Sequence, residues 1–215
     1  MRYSVTRDVP SYRKNQRLLD ERALPDAAAR AEQVAAIADT LIAAGYRQIG
    51  LDHFALPDDE LALAQSAGRL RRNSLGYSAD TCPTLIGFGP SAIGRLGNEM
   101  AQSSYSRRIA AGHLVTSRGY RLSAEDRVRA EIIEQLMCNL EADVPAICAA
   151  HGFDPTSLMC RAERLTSLAE DGIVDIDNDF VSVRREHGFV LRSVAAAFDA
   201  YLDRSPYERR AGASC

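Results

Sequence analysis

The stretch GYRQIGLDHFALPDDELALAQ, residues 45–65, carries the reading of the fold. Its first part, YRQIGLDHF, has the β-branched and aromatic content of one short strand over 46–54. Pro57-Asp58-Asp59-Glu60 then opens a helix, with carboxylates at the end where the helix dipole is positive. Upstream, Pro25-Asp26 starts a helix that Gly45 stops, with Val34, Ile37, Leu41 and Ile42 at helical spacing. Helix, strand, helix is the rhythm of an α/β unit. His53, one of four histidines in the chain, stands at the end of that strand. A hydrogen-bonded, half-buried histidine is the plain reading, and a functional one depends on what surrounds it.

The 215 residues suffice for one large domain or two modest ones. A hydrophobic content of 46% and a charged content of 26% are ordinary for a soluble globular protein. The net charge of -3 gives no overall pull toward nucleic acid or anionic lipid. No apolar run approaches the roughly 20 residues of a bilayer span, and MRYSVTRDVPSYRKNQR lacks the apolar core of a secretory signal. The five cysteines, Cys82, Cys138, Cys148, Cys160 and Cys215, are scattered without ligand spacing. Reduced thiols in the cytoplasm are therefore expected, and no metal site.

Residues 1–22 are polar and basic and read as a loop. The stretch 69–98 is glycine-rich and shows no sustained period. Gly87, Gly89, Gly94 and Gly97 would let backbone approach a ligand closely, which makes this the most site-like segment. No dinucleotide fingerprint is present in it. From Ser123 the pattern becomes helical, with Ser123 and Asp126 at an N-cap and Val128, Ile132, Ile133, Leu136 and Leu140 as an apolar stripe. A short helix over 144–150 and another starting at Asp154-Pro155 and stopped by Gly172 follow. IVDIDNDFVSV alternates around Asn178-Asp179 and reads as a hairpin. A last helix carries Phe189, Val190, Val194, Phe198 and Tyr201. Helices, a two-stranded wing and a closing helix predict a winged-helix-like unit. Its would-be recognition helix sets Arg161 and Arg164 against Glu163 and Glu170, a balance that argues against DNA.

The segments GYRQIGLDHFALPDDELALAQ, LRRNSLGY, LIGFGPSAIG, QLMCNL, LAEDGIVDID and FDAYL follow one another in order. Together they resemble the C-terminal part of the oxygen-independent coproporphyrinogen III oxidase (coproporphyrinogen dehydrogenase) family, radical S-adenosylmethionine enzymes of haem biosynthesis. The resemblance runs from about Pro10 to Leu202. It implies an α+β fold, with the remnant of a partial β/α barrel and the glycine-rich segment over 1–121 and the winged-helix-like domain over 122–215. It also implies oxidative decarboxylation of coproporphyrinogen III to protoporphyrinogen IX, with S-adenosylmethionine and a 4Fe-4S cluster as cofactors. The family's CxxxCxxC cluster motif does not occur in this sequence. The chain is therefore expected to be a C-terminal fragment that is inactive alone, cytoplasmic and monomeric, without nucleic-acid or membrane partners. A non-catalytic tetrapyrrole- or protein-binding module is the alternative.

Residue roles carry over narrowly. Ile93, in PSAIG, matches a family position that contacts S-adenosylmethionine, where an apolar side chain packs on an adenine face. The family has Tyr-Ala-His before a Val-Pro pair, whereas this chain has Thr6-Arg7-Asp8 before Val9-Pro10, so no role passes to Arg7. The family's Asn-Phe-Gln-Gly-Tyr appears as Asn73-Ser74-Leu75-Gly76-Tyr77. Asp52-His53-Phe54 is a family hallmark at the close of a barrel-type strand, where α/β folds place functional groups. A substrate with several carboxylates favours nearby cations, which Arg71, Arg72 and His53 can supply.

Overall fold

The structure is a computed structural model and describes residues 24–73, 76–89, 93–97, 99–103, 105–113, 116–159 and 163–202. Backbone contacts divide the chain into two units, 1–44 and 45–215. The described part of the first is helix α1 (Ala27–Ala43), capped by the Asp26 carboxylate, which accepts from the Ala29 N–H at 2.9 Å. Its apolar positions Val34, Ile37 and Ile42 are exposed.

In the second unit, the segment expected as one strand over 46–54 is a hairpin. Strands β1 (Arg47–Ile49) and β2 (His53–Ala55) pair antiparallel, with Ile49 opposite His53. Gly50 is the reason: it takes φ +55, a left-handed conformation that no strand interior holds. Helix α2 (Glu60–Ser66) follows, with Asp59 accepting from the Leu61 N–H and Ala62 and Ala64 turned inward. Strands β3 (Arg71–Arg72) and β4 (Tyr77–Ser78) form a second small hairpin. Strands β5 (Ile93–Leu96), β6 (Glu99–Ser103) and β7 (Thr116–Arg121) make a three-stranded sheet, with helix α3 (Tyr105–Ala110) between the last two. The stretch read as aperiodic thus contains strands, each too short for an alternation to register. Every pairing among the described strands is antiparallel, so the fold mixes helix and strand without closing a barrel, and the helix–strand–helix rhythm builds no parallel unit there.

Helix α4 (Ala124–Asn139) begins with the expected capping box between Ser123 and Asp126. Val128, Ile132 and Leu136 are fully buried, with Ile133 and Leu140 packed partly buried against the same cluster. Leu140 then takes φ +63 and turns the chain into strand β8 (Glu141–Asp143), which the sequence did not announce. Helices α5 (Val144–Ala150), α6 (Thr156–Met159) and α7 (Glu163–Glu170) lead to strands β9 (Val174–Asp177) and β10 (Phe180–Val183). These strands meet at the expected turn, with Asn178 and Asp179 both at positive φ, as a two-residue hairpin of native twist requires. The sheet order is β8-β10-β9. The last helix is shorter than expected. A 3₁₀ turn covers Arg185–Val190, leaving Phe189 56% exposed, and helix α8 spans only Leu191–Ala196. Gly188, a poor helix former, lies inside that turn.

Two buried clusters result. The larger gathers Val128, Ile132, Leu136, Leu158, Leu165, Leu191, Val194 and Phe198, and it draws Leu51 from the β1–β2 turn. The smaller is built on Ile49, Ala55, Ala62, Ala64 and Leu70, and it draws Cys138 from α4. Each cluster thus borrows a residue from the other's segment, which ties the hairpin to α4. Buried Arg129 braces the helical side, with Nε donating to Glu125 at 2.8 Å and Nη1 to the Phe198 carbonyl at 3.0 Å. No helix among the described residues is long and apolar enough to cross a membrane.

Candidate functional site

Three segments meet at Tyr77. A Cβ at Gly50 would overlap the Tyr77 ring, so glycine is what lets the ring lie against the β1–β2 turn. The phenol oxygen accepts from the Leu51 N–H at 2.9 Å and donates to the Met137 carbonyl at 2.8 Å. Met137 lies in the last turn of α4, where helix carbonyls lack intrahelical partners. Burial pushes the Tyr77 pKa up, against the lowering effects of the Leu51 N–H and the Arg72 charge, so the phenol stays protonated at neutral pH.

Charged groups surround this ring. The β3–β4 register sets Arg72 directly opposite Tyr77, and its guanidinium lies 5.4 Å from the ring centroid. His53 meets the same ring edge-on, at a centroid distance of 5.0 Å and an interplanar angle of 81°. A Cβ at Gly76 would come 3.3 Å from His53 Nε2, so the absence of a side chain there keeps that nitrogen uncrowded. On the other side of the imidazole, Nδ1 lies 3.1 Å from Asp52 Oδ1, and Arg192 of α8 donates to Asp52 Oδ2 at 3.2 Å. Glu134 of α4 accepts from the Arg72 backbone N–H at 2.8 Å and pairs with Arg71 Nε at 3.0 Å. Arg72 Nε is buried without a hydrogen-bond partner, a state it shares among the described residues only with Arg95 Nε.

His53 and Arg72 are thus brought together on one ring, while Arg71 is held by Glu134. Ile93 is half-buried on β5 and belongs to neither buried cluster. The neighbouring Gly94 admits the chain's own backbone: a Cβ there would lie 3.1 Å from the Leu85 carbonyl, and Leu85 and Arg95 exchange backbone hydrogen bonds at 2.8 Å. Thr6, Arg7, Asp8, Ser74, Leu75 and Arg161 lie outside the described residues. Sequence reading missed Glu134 and the Asp52–Arg192 pair, because 62 and 140 positions separate the partners and no local pattern links them. Gly50, inside the presumed strand, was the one available sign of the turn.

A pocket of about 400 Å³ opens beside Tyr77, lined also by Asp59, Glu60, Leu61, Ser78, Ala79 and Asp80. Its carboxylates repel an anionic ligand, and neither Arg72 nor His53 lines it. Among the described residues no three of His, Cys, Asp and Glu gather so as to hold a metal. Burial, and then the Glu134 charge, pushes the Cys138 thiol up to about 12, and burial likewise raises Cys148. Cys82 is exposed and apart from both buried clusters. An iron–sulfur cluster needs grouped thiolates, so the described cysteines do not fit one.

No protein-family model matches the chain. An oxygen-independent coproporphyrinogen III oxidase of Bradyrhizobium diazoefficiens is 48% identical over 200 residues, covering 91% of this chain and 44% of the relative. An anaerobic coproporphyrinogen III oxidase of Cereibacter sphaeroides is 39% identical over 199 residues, covering 90% and 44%. The counterpart of Pseudomonas aeruginosa is 36% identical over 193 residues, covering 87% and 42%. The solved structure of coproporphyrinogen III oxidase (HemN) from Escherichia coli, a radical SAM enzyme, matches with a TM-score of 0.79 and 31% identity, over 90% of this chain and 46% of that one. The chain spans a little under half the length of these relatives. By sequence and by fold it is similar to part of the oxygen-independent coproporphyrinogen III oxidases.

Proposed function

We propose that this chain acts as the C-terminal, substrate-facing part of an oxygen-independent coproporphyrinogen III oxidase. In that role it takes part in the oxidative decarboxylation of coproporphyrinogen III to protoporphyrinogen IX, in cytoplasmic haem biosynthesis. The observation that carries this reading is the structural match over 90% of the chain at a TM-score of 0.79. S-adenosylmethionine and a 4Fe-4S cluster supply the radical chemistry of such an enzyme when bound. The described residues do not hold the cluster, so their own contribution is to bind and orient.

Several features support this division of labour. Tyr77 locks two hairpins onto α4 through Leu51 and Met137, which gives the charged groups around it a rigid base. Asp52 and Arg192 fix the orientation of His53. Ile93 offers a half-buried apolar side chain on β5 suited to an adenine face, and β5 pairs through Arg95 with Leu85 of the glycine-rich segment. We read residues 122–215 as a winged-helix-like domain, and the helices with a three-stranded sheet in the order β8-β10-β9 favour that reading. Its part here is to buttress the site, through Glu134 and Met137 of α4.

A chimera that joins the preceding part of the Bradyrhizobium relative to this chain tests the assignment. It is expected to convert coproporphyrinogen III to protoporphyrinogen IX when loaded with cluster and supplied with S-adenosylmethionine. A folded, cluster-loaded chimera without turnover overturns the reading.

A further inference from the structure

We propose that Arg72, seated on the Tyr77 ring beside His53, is a binding site for a carboxylate, of the kind carried by the propionate arms of a tetrapyrrole. The inference rests on the proposed function for the identity of the whole ligand, and on the local geometry alone for the carboxylate.

The cations near Tyr77 are not equivalent. Arg71 is paired with Glu134 at 3.0 Å and Arg192 with Asp52 at 3.2 Å. Arg72 makes no ion pair among the described residues, and its Nε is buried with its hydrogen bond unmet. An unpaired guanidinium with a desolvated N–H is unfavourable, and a carboxylate that pairs with its exposed terminal edge supplies the missing counter-charge. The group is already held in place. The β3–β4 register puts the guanidinium over the Tyr77 ring, and Glu134 pins the Arg72 backbone N–H. Little side-chain freedom is then lost on binding.

The surroundings steer the ligand. Asp52 occupies His53 Nδ1, so Nε2 is the ring nitrogen turned toward Gly76, which itself carries no side chain. The carboxylates of Asp59, Glu60 and Asp80 line the neighbouring pocket and turn an anion away from it. Arg72 is only half-buried, which leaves the guanidinium approachable.

The test uses the 215-residue chain and three probes: propionate, coproporphyrin III, and its tetramethyl ester, which keeps the macrocycle and blocks the carboxylates. Binding is followed by porphyrin fluorescence and by the NMR signals of the His53 imidazole, in proteins whose circular dichroism matches the parent. Propionate is expected to shift the His53 signals in the parent chain and in Arg71→Ala, and not in Arg72→Ala. Coproporphyrin III is expected to bind roughly tenfold or more weakly to Arg72→Ala, while Arg72→Lys, which keeps the charge and loses the fork, falls between. The ester is expected to bind parent and Arg72→Ala alike. Equal coproporphyrin III affinity in parent and Arg72→Ala overturns the proposal, as does a propionate response that survives the substitution. A chain that ignores both propionate and coproporphyrin III also overturns it. Recognition of propionate through Arg72 without any of the porphyrin upholds the site and counts against the proposed substrate.

Discussion

Replacing Tyr77 by Phe removes a single oxygen while keeping the ring that carries Arg72 and meets His53. That oxygen makes two hydrogen bonds, to the Leu51 N–H at 2.9 Å and the Met137 carbonyl at 2.8 Å, which join segments 26 and 60 positions away. A typical hydrogen bond contributes about 1 kcal/mol net, and a partly buried donor left without a partner costs more. Tyr77→Phe should therefore lose about 2–3 kcal/mol of folding stability. For a chain of this size each kcal/mol moves Tm by roughly 2–4 °C, so a drop of about 4–12 °C is expected. Urea unfolding at pH 7, followed by circular dichroism, measures the free energy, with the slope expected to stay constant because the buried area hardly changes. A loss below about 0.5 kcal/mol at unchanged slope would refute the claim that the phenol ties the hairpins to α4. It would also weaken the case for Arg72, whose seat is the same ring.

Two further outcomes follow from the titratable groups. Burial works to raise the Asp126 pKa, but hydrogen bonds from Tyr201, Ser123 and Tyr120 outweigh it and hold the carboxyl below its ordinary 3.8. Its contribution is thus complete above that value and fades as pH falls through the lower folded value, so Asp126→Asn should cost about 1 kcal/mol at pH 6 and progressively less as pH falls below 3.8. A urea-midpoint gap that persists unchanged at pH 2 contradicts this. The buried thiols give the other outcome: iodoacetamide at pH 8 should label exposed Cys82 in the native protein, while Cys138 and Cys148 wait for unfolding. Peptide mapping by mass spectrometry that finds Cys138 modified as fast as Cys82 would show the smaller cluster to be open.

Local physics made much of the architecture readable in advance. The helix starts at Pro25-Asp26 and at Pro57–Glu60, the Ser123–Asp126 N-cap, the Val128–Ile132–Leu136 stripe and the Asn178-Asp179 turn depend on neighbours within four residues, and all of them stand in the structure. So did the ordered motifs that resemble the family, which the relatives then matched. What failed was whatever needed a distant partner. The strand expected over 46–54 folds back because Gly50 makes room for Tyr77, and β8 exists because β10 lies beside it. The terminal helix shortens to Leu191–Ala196, and Phe198 reaches the α4 cluster from just beyond its end. The same holds at the site. Two adjacent arginines, Arg71 and Arg72, are chemically identical in sequence, and only the packing of α4 against β3 decides which of them Glu134 neutralises. Pattern and capping are set by residues a turn apart, whereas the pairing of charges depends on which surfaces the hydrophobic clusters bring face to face.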